Sequence, residues 1–219
     1  MKKLLLLSLL LMITGLAMAK HRKVKVITPY GTMIIRLSDE TPLHRDNFIK
    51  LSRRHFYDST LFHRVIKNFM IQGGDPDSKH AHAGDTLGNG DTGYTIPAEF
   101  RLDLFHRKGA LAAARDNNPA KASSGCQFYI VQGKVFTDEQ LDNLEKTRLG
   151  GRKIPVDQRQ VYKTIGGVPH LDQSYTVFGQ VIKGMEVIDR IAAEKTDKQD
   201  RPLKDIPMKI RLVKKWLFF

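Results

Sequence analysis

The 219-residue sequence predicts a mainly β domain, an antiparallel barrel or sandwich, on three observations. Short apolar runs recur along the chain, several with the every-second-residue alternation of a half-buried strand. Only two stretches, one after Thr41-Pro42 and one from Met185 to Ala193, read as core helices. Hydrophobic residues make up 41% and charged residues 27%, which supports one soluble core, and no linker is long enough to divide it. Periodicity alone does not choose between barrel and sandwich.

At the N-terminus, Lys2 and Lys3 precede an almost wholly apolar stretch, Leu4 to Leu16. Ala17-Met18-Ala19 then offers small residues at the positions a signal peptidase reads. The run is shorter than the ~20 residues that span a bilayer. Residues 1–19 are therefore expected to be a cleaved secretory signal, with the domain at 20–219 and no stable membrane insertion after cleavage. The expected destination is the periplasm, if the source has two membranes.

The next elements follow from local chemistry. Val24, Val26 and Thr28 share one parity and Met33, Ile35 and Leu37 another, and Pro29-Tyr30-Gly31 joins them as a hairpin turn. Thr41 is the expected N-cap of a helix with Pro42 at its first position. Thr60–Ile66 and Phe69–Gln72 read as strands, broken at Gly73-Gly74. Residues 75–96 read as a surface loop whose length favours a functional role. Strands follow at Leu111–Ala114, Gln127–Val131, Tyr175–Val181 and Met208–Leu217. The segment at about 134–165 differs in character. Thr137 with Gln140 forms a capping-box pattern, Gly150-Gly151 ends that helix, and Pro155 opens another. It reads as a helical hairpin inserted in the β-rich domain.

Composition excludes several chemistries. The formal charge of +13, or +11 without Lys2 and Lys3, is dispersed, and no recognition helix or zinc knuckle accompanies it, so no nucleic acid is expected. Cys126 is the only cysteine and cannot form an internal disulfide. His80 and His82 lack partners at metal-ligand spacing, so no metal is expected. Ser123-Ser124-Gly125 is not a nucleophile elbow, and Gly84–Gly93 has no phosphate-loop lysine. No cofactor is implied.

Phe62 to Asp75, FHRVIKNFMIQGGD, carries the strongest signal. If its two halves pair as strands, Arg64 stands beside Met70 and Gln72, which share one face by parity. Phe69 has the opposite parity and joins them only if the strand starts or bulges there. This stretch strongly resembles the signature of the cyclophilin family of peptidyl-prolyl isomerases. Gly109–Arg115 (GALAAAR), Ser124–Ile130 (SGCQFYI) and Gly166–Val181 (GGVPHLDQSYTVFGQV) resemble the family's later motifs in order.

The resemblance implies a closed eight-stranded antiparallel barrel with a helix over each end. It also implies isomerisation of X-Pro bonds in proline-containing polypeptides, in support of folding, by a chain expected to be monomeric. It assigns Arg64 and Gln72 to catalysis. Phe69, Met70, Tyr129 and Leu171 match the proline pocket, Ala114, Arg115 and Gln127 the substrate groove, and His170 and Tyr175 the rim. Phe62, Phe128 and Phe178 are expected in the core, and His63 is expected to be buried. Four residues depart from common family choices. His170 stands for tryptophan, which implies weaker cyclosporin inhibition. Tyr129 stands for phenylalanine, and Tyr175 for histidine. Arg115 stands for asparagine, which favours acidic substrate neighbours. The competing function is a chaperone module that holds extended chains, with turnover incidental.

Overall fold

Alternation produces the first hairpin as expected. In this computed structural model, which describes residues 22–213, β1 (Lys23–Thr28) and β2 (Gly31–Leu37) pair antiparallel, with Val24 opposite Ile35 and Val26 opposite Met33. All four side chains are buried. Gly31 closes the turn at φ +127°, a conformation that side chains resist. The expected signal segment lies outside the described residues, as does the end of the last expected strand beyond Val213.

Six more strands complete the main sheet. They are β3 (Arg64–Ile66), β4 (Met70–Gly73), β6 (Ala110–Ala113), β8 (Phe128–Val131), β9 (Val177–Lys183) and β10 (Lys209–Leu212). The order is β10-β1-β2-β9-β6-β8-β4-β3, antiparallel throughout. The expected closed barrel is corrected here: the sheet is open, because the outer strands β3 and β10 share no ladder. β3 is three residues long, and the Val65 N–H donates to the Asp200 carbonyl in a loop (2.8 Å) rather than to a strand. The seam is spanned by a single Leu61–Pro207 bridge and by bonds such as Phe62 N–H to Ile206 O (3.0 Å). Alternation could not anticipate a second, two-residue pairing of β5 (Thr95–Ile96) with β7 (Ser123–Ser124).

Among the described residues, four α-helices accompany the sheet: α1 (Pro42–Arg53), α2 (Asp138–Thr147), α3 (Val156–Thr164) and α4 (Met185–Ala192). α1 and α4 bury Phe48, Ile49, Val187, Ile188 and Ile191 in the main core, beside Phe62, Phe128 and Phe178. Thr41 sits at the N-cap of α1, but its side chain makes no cap bond. The carboxylate of buried Glu99 does that work instead, accepting from Leu43 N–H (3.1 Å) and His44 N–H (3.0 Å). The capping box of α2 forms as expected. Together with Tyr162 of α3, Leu141 of α2 and Ile154 build a small core of their own, with Phe105 and Phe136 against it.

The loop after β4 is mostly exposed over residues 81–95, as expected, but it is anchored at its start. Asp75 is fully buried, and its carboxylate accepts from the Asp77 and Gly88 N–H groups.

Candidate active site

The period-two geometry of the sheet builds the site. On β4, β8 and β6, Ile71, Phe128, Ile130, Leu111 and Ala113 point into the main core. Met70, Tyr129, Val131, Ala110 and Ala112 therefore face the other side, where they form a second cluster. The strand registers place Arg64 opposite Gln72, Gln72 opposite Tyr129, and Tyr129 opposite Ala112. One transverse row thus carries a cation, an amide, a phenol and a methyl group across four strands. Alanine at 112 and again at 114 keeps this face low.

A cavity of about 180 Å³ opens on this face. Nine of the eleven expected site residues line it: Arg64, Phe69, Met70, Gln72, Ala114, Arg115, Tyr129, Leu171 and Tyr175. Phe69 joins because β4 starts only at Met70, which leaves residue 69 in the turn. Gln127 lines instead a longer groove of about 490 Å³ that shares Gln72, Ala114 and Arg115 with the cavity. His170 does not line the cavity either. Its ring stacks on Phe69, with centroids 5.9 Å apart and planes 13° apart, so it backs the wall rather than forming it.

Several polar groups are held in place. Gln127 Nε2 donates to the carbonyls of Gly88 and Gly90, each at 2.8 Å, so its Oε1 is aimed at Gln72 Nε2 (3.1 Å). That leaves the Gln72 carbonyl turned toward other partners. Arg64 has a side chain 44% exposed, and its Nε lies 3.5 Å from the Asp200 carboxylate. Arg115 donates through Nε to Ser174 O and through Nη1 to Asp116 O, each at 2.9 Å, with its guanidinium 4.7 Å above the Tyr175 ring.

Acid–base chemistry has little support in this site. Burial drives the Tyr129 phenol well above its ordinary range. Burial also pushes the imidazole of His63 down to about 4, with Arg64 and Arg201 adding to the effect against Asp75. His170 is lowered as well, by burial and then by Arg148. These groups are neutral near pH 7. Among the described residues, no three His, Cys, Asp or Glu side chains gather as metal ligands would.

Sequence reasoning missed Asp200, whose carboxylate lies 3.5 Å from Arg64 Nε, and the buried partners behind Tyr129. Asp200 lies 136 positions after Arg64 in a loop without a motif, and only the fold brings the two together.

The chain matches the family model described as cyclophilin type peptidyl-prolyl cis-trans isomerase/CLD over residues 23–213. It is 38% identical over 185 residues to a Staphylococcus epidermidis protein whose name provisionally assigns peptidyl-prolyl cis-trans isomerase activity. That alignment covers 84% of this chain and 87% of the relative. A similarly named Staphylococcus aureus protein is 37% identical over the same coverage. A crystal structure of a Cryptosporidium parvum cyclophilin type isomerase superposes with a TM-score of 0.64 at 25% identity, covering 90% of this chain and 99% of its own. The same protein was also solved in the presence of the dipeptide Ala-Pro, and there the TM-score is 0.63 at 26% identity. With the family match running from β1 through β10, and with its strongest motif folded into the row that floors the cavity, this chain belongs to the cyclophilin-type peptidyl-prolyl cis-trans isomerases.

Proposed function

We propose that the cavity beside Arg64 receives the proline ring and that Arg64 and Gln72 lower the barrier to rotation about the preceding bond. The observation that carries this reading is the transverse row. A guanidinium and an amide sit beside a depression walled by Phe69, Met70, Tyr129 and Leu171 and sized for a small ring, with no nucleophile among them. The peptide bond is held planar by a barrier of about 18–20 kcal/mol, and X-Pro bonds exchange over roughly tens to hundreds of seconds. Catalysis needs only tighter binding of the twisted amide than of either planar form.

When the amide twists, the prolyl nitrogen becomes pyramidal and regains its lone pair. A guanidinium aimed there hydrogen-bonds that lone pair and weakens the double-bond character of the C–N bond. Arginine suits the task because it stays charged and its planar fork keeps a direction. The Asp200 carboxylate lies 3.5 Å from Arg64 Nε. Gln72, its Nε2 engaged by Gln127, presents its carbonyl oxygen to the substrate backbone. Phe69, Met70, Tyr129 and Leu171 hold the ring, and Ala114, Arg115 and Gln127 run beside the flanking chain.

The protein is further read as an exported, monomeric isomerase that assists the folding of other polypeptides, with the α2–α3 pair as an insertion in the family fold. Export rests on the charged, apolar and small-residue succession of residues 1–19. A mature N-terminus at Lys20 supports it, and an intact Met1 in a soluble fraction contradicts it.

The central test is isomerisation of a short alanine-proline peptide, followed by protease coupling or by NMR exchange. Arg64→Ala removes one charge-assisted hydrogen bond worth roughly 1.5–3 kcal/mol, so kcat should fall roughly ten- to hundredfold while peptide affinity weakens only modestly. Equal loss of affinity and turnover would contradict differential binding and favour a chain-holding module.

A further inference from the structure

Behind Tyr129 lies a chain of buried polar groups that the proposed mechanism does not use. His106, fully buried just before β6, brings its Nε2 to 2.9 Å from the Tyr129 hydroxyl. Its Nδ1 meets Asp172 Oδ1 at 2.8 Å, and its backbone N–H donates to the same oxygen at 2.9 Å. Asp172 Oδ2 accepts from the Tyr162 hydroxyl of α3 at 2.6 Å. The Asp172 carbonyl accepts from Arg152, in the α2–α3 connection, at 3.1 Å. A carboxylate accepts, so the proton of the His106–Asp172 pair sits on Nδ1, and in the neutral ring Nε2 accepts from Tyr129.

Two features tie this chain to the cavity. Tyr129 forms one wall, and Asp172 directly follows Leu171, which forms another. The connection Tyr129–His106–Asp172 therefore joins two walls through buried groups. The far end belongs to the helical pair, whose small core packs Tyr162 against Phe105, next in sequence to His106, with ring centroids 5.5 Å apart. A buried network with every member bonded fixes one arrangement, and losing one bond leaves its partner unsatisfied.

We propose that His106 is a positioning residue for the proline pocket, and that α2 and α3 set the pocket's walls through Tyr162, Asp172 and His106 acting on Tyr129. This rests on reading the cavity as the proline pocket. The walls touch the ring in planar and twisted forms alike, so the relay acts on uniform binding and its loss appears in KM rather than in kcat.

The test uses the full mature chain and the alanine-proline peptide. Tyr162→Phe removes one oxygen and keeps the ring. His106→Asn keeps an amide where Nδ1 meets Asp172 but no longer reaches Tyr129, and it serves if the first variant melts below the assay temperature. For each folded variant, KM should rise about three- to tenfold, the scale of one buried hydrogen bond, with kcat within about twofold. In a Tyr129→Phe background, where the link is already cut, the same change should add less than about 1.5-fold. An unchanged KM overturns the proposal, and so does an undiminished effect in the Tyr129→Phe background, which would mark the network as structural only. Wild-type protein inactive on the peptide would instead overturn the reading of the pocket itself.

Discussion

Replacing Arg115 with asparagine should erase a preference for substrates with an acidic residue beside the alanine-proline pair. Arg115 lines both the proline cavity and the long groove, so a chain passing from one to the other crosses it. Two of its five N–H donors are taken by the Ser174 and Asp116 carbonyls, and the Tyr175 face holds the plane. The other donors remain for a ligand, and little side-chain entropy is left to lose. Two unit charges 4 Å apart interact by about 4 kcal/mol at an effective dielectric of 20 and about 1 kcal/mol in water. Solvent-open ion pairs measure about 0.2–1 kcal/mol. Arg115 is half-buried and held by backbone, which argues for the upper end. Asp91 and Asp116 line the same groove and oppose a second acid. A net of about 1 kcal/mol gives roughly a fivefold gain in kcat/KM for glutamate over glutamine. The assay compares peptides carrying glutamate, glutamine or lysine on either side of the pair, at low and high salt. Wild type should favour glutamate at one of the two positions, less so at high salt as screening grows. Arg115→Asn should flatten the series. A glutamate-to-lysine ratio that survives the substitution would refute the reasoning.

Other consequences concern stability. Glu99→Ala strands the buried His44 N–H and its Nδ1, at roughly 1–3 kcal/mol each, besides the partly buried Leu43 N–H, and should lower Tm by roughly 5–15 °C. Thr41→Val keeps the shape and removes a hydroxyl that makes no cap bond, so it should cost well under half of that shift. Calorimetry showing the reverse order would place the cap on Thr41 after all. The imidazole of His63 takes a proton near pH 6.5 when unfolded but only near about 4 in the fold. The unfolded chain therefore binds more protons between these values. Stability is fully present above about pH 6.5 and declines as pH falls through about 4, by on the order of 2–3 kcal/mol. His63→Gln should reduce that slope in a pH series of thermal melts. Some slope should remain, since burial also lowers His44 against its Glu99 partner.

Much of the site was legible in the sequence because strand geometry is local. Parity alone puts Met70 and Gln72 on one face, and it correctly made Phe69 depend on where β4 begins. The hairpin of β1 and β2, the capping box of α2 and the positions of α1 and α4 follow from turn chemistry and apolar spacing in the same way. The four motifs that resemble the family together name the nine residues that meet in one cavity.

Tertiary structure decided what depends on partners distant in sequence. Whether the sheet closes rests on how β3 meets the segment before β10, and a three-residue strand diverted to Asp200 leaves it open. The cap of α1 comes from Glu99, some 55 residues away, and no propensity at Thr41 reveals that. Gln127 and His170 carry motif identities but act beside the cavity, because the loop after β4 captures one and the Phe69 ring engages the other. His106 lies outside the quoted motifs, and Asp172, though inside Gly166–Val181, shows no partner there, since a buried hydrogen bond is a contract between surfaces that meet only after folding. Sequence determined which residue types face which side. The meeting of strands, loop and helical pair determined which of those faces became a pocket, and what stands behind its walls.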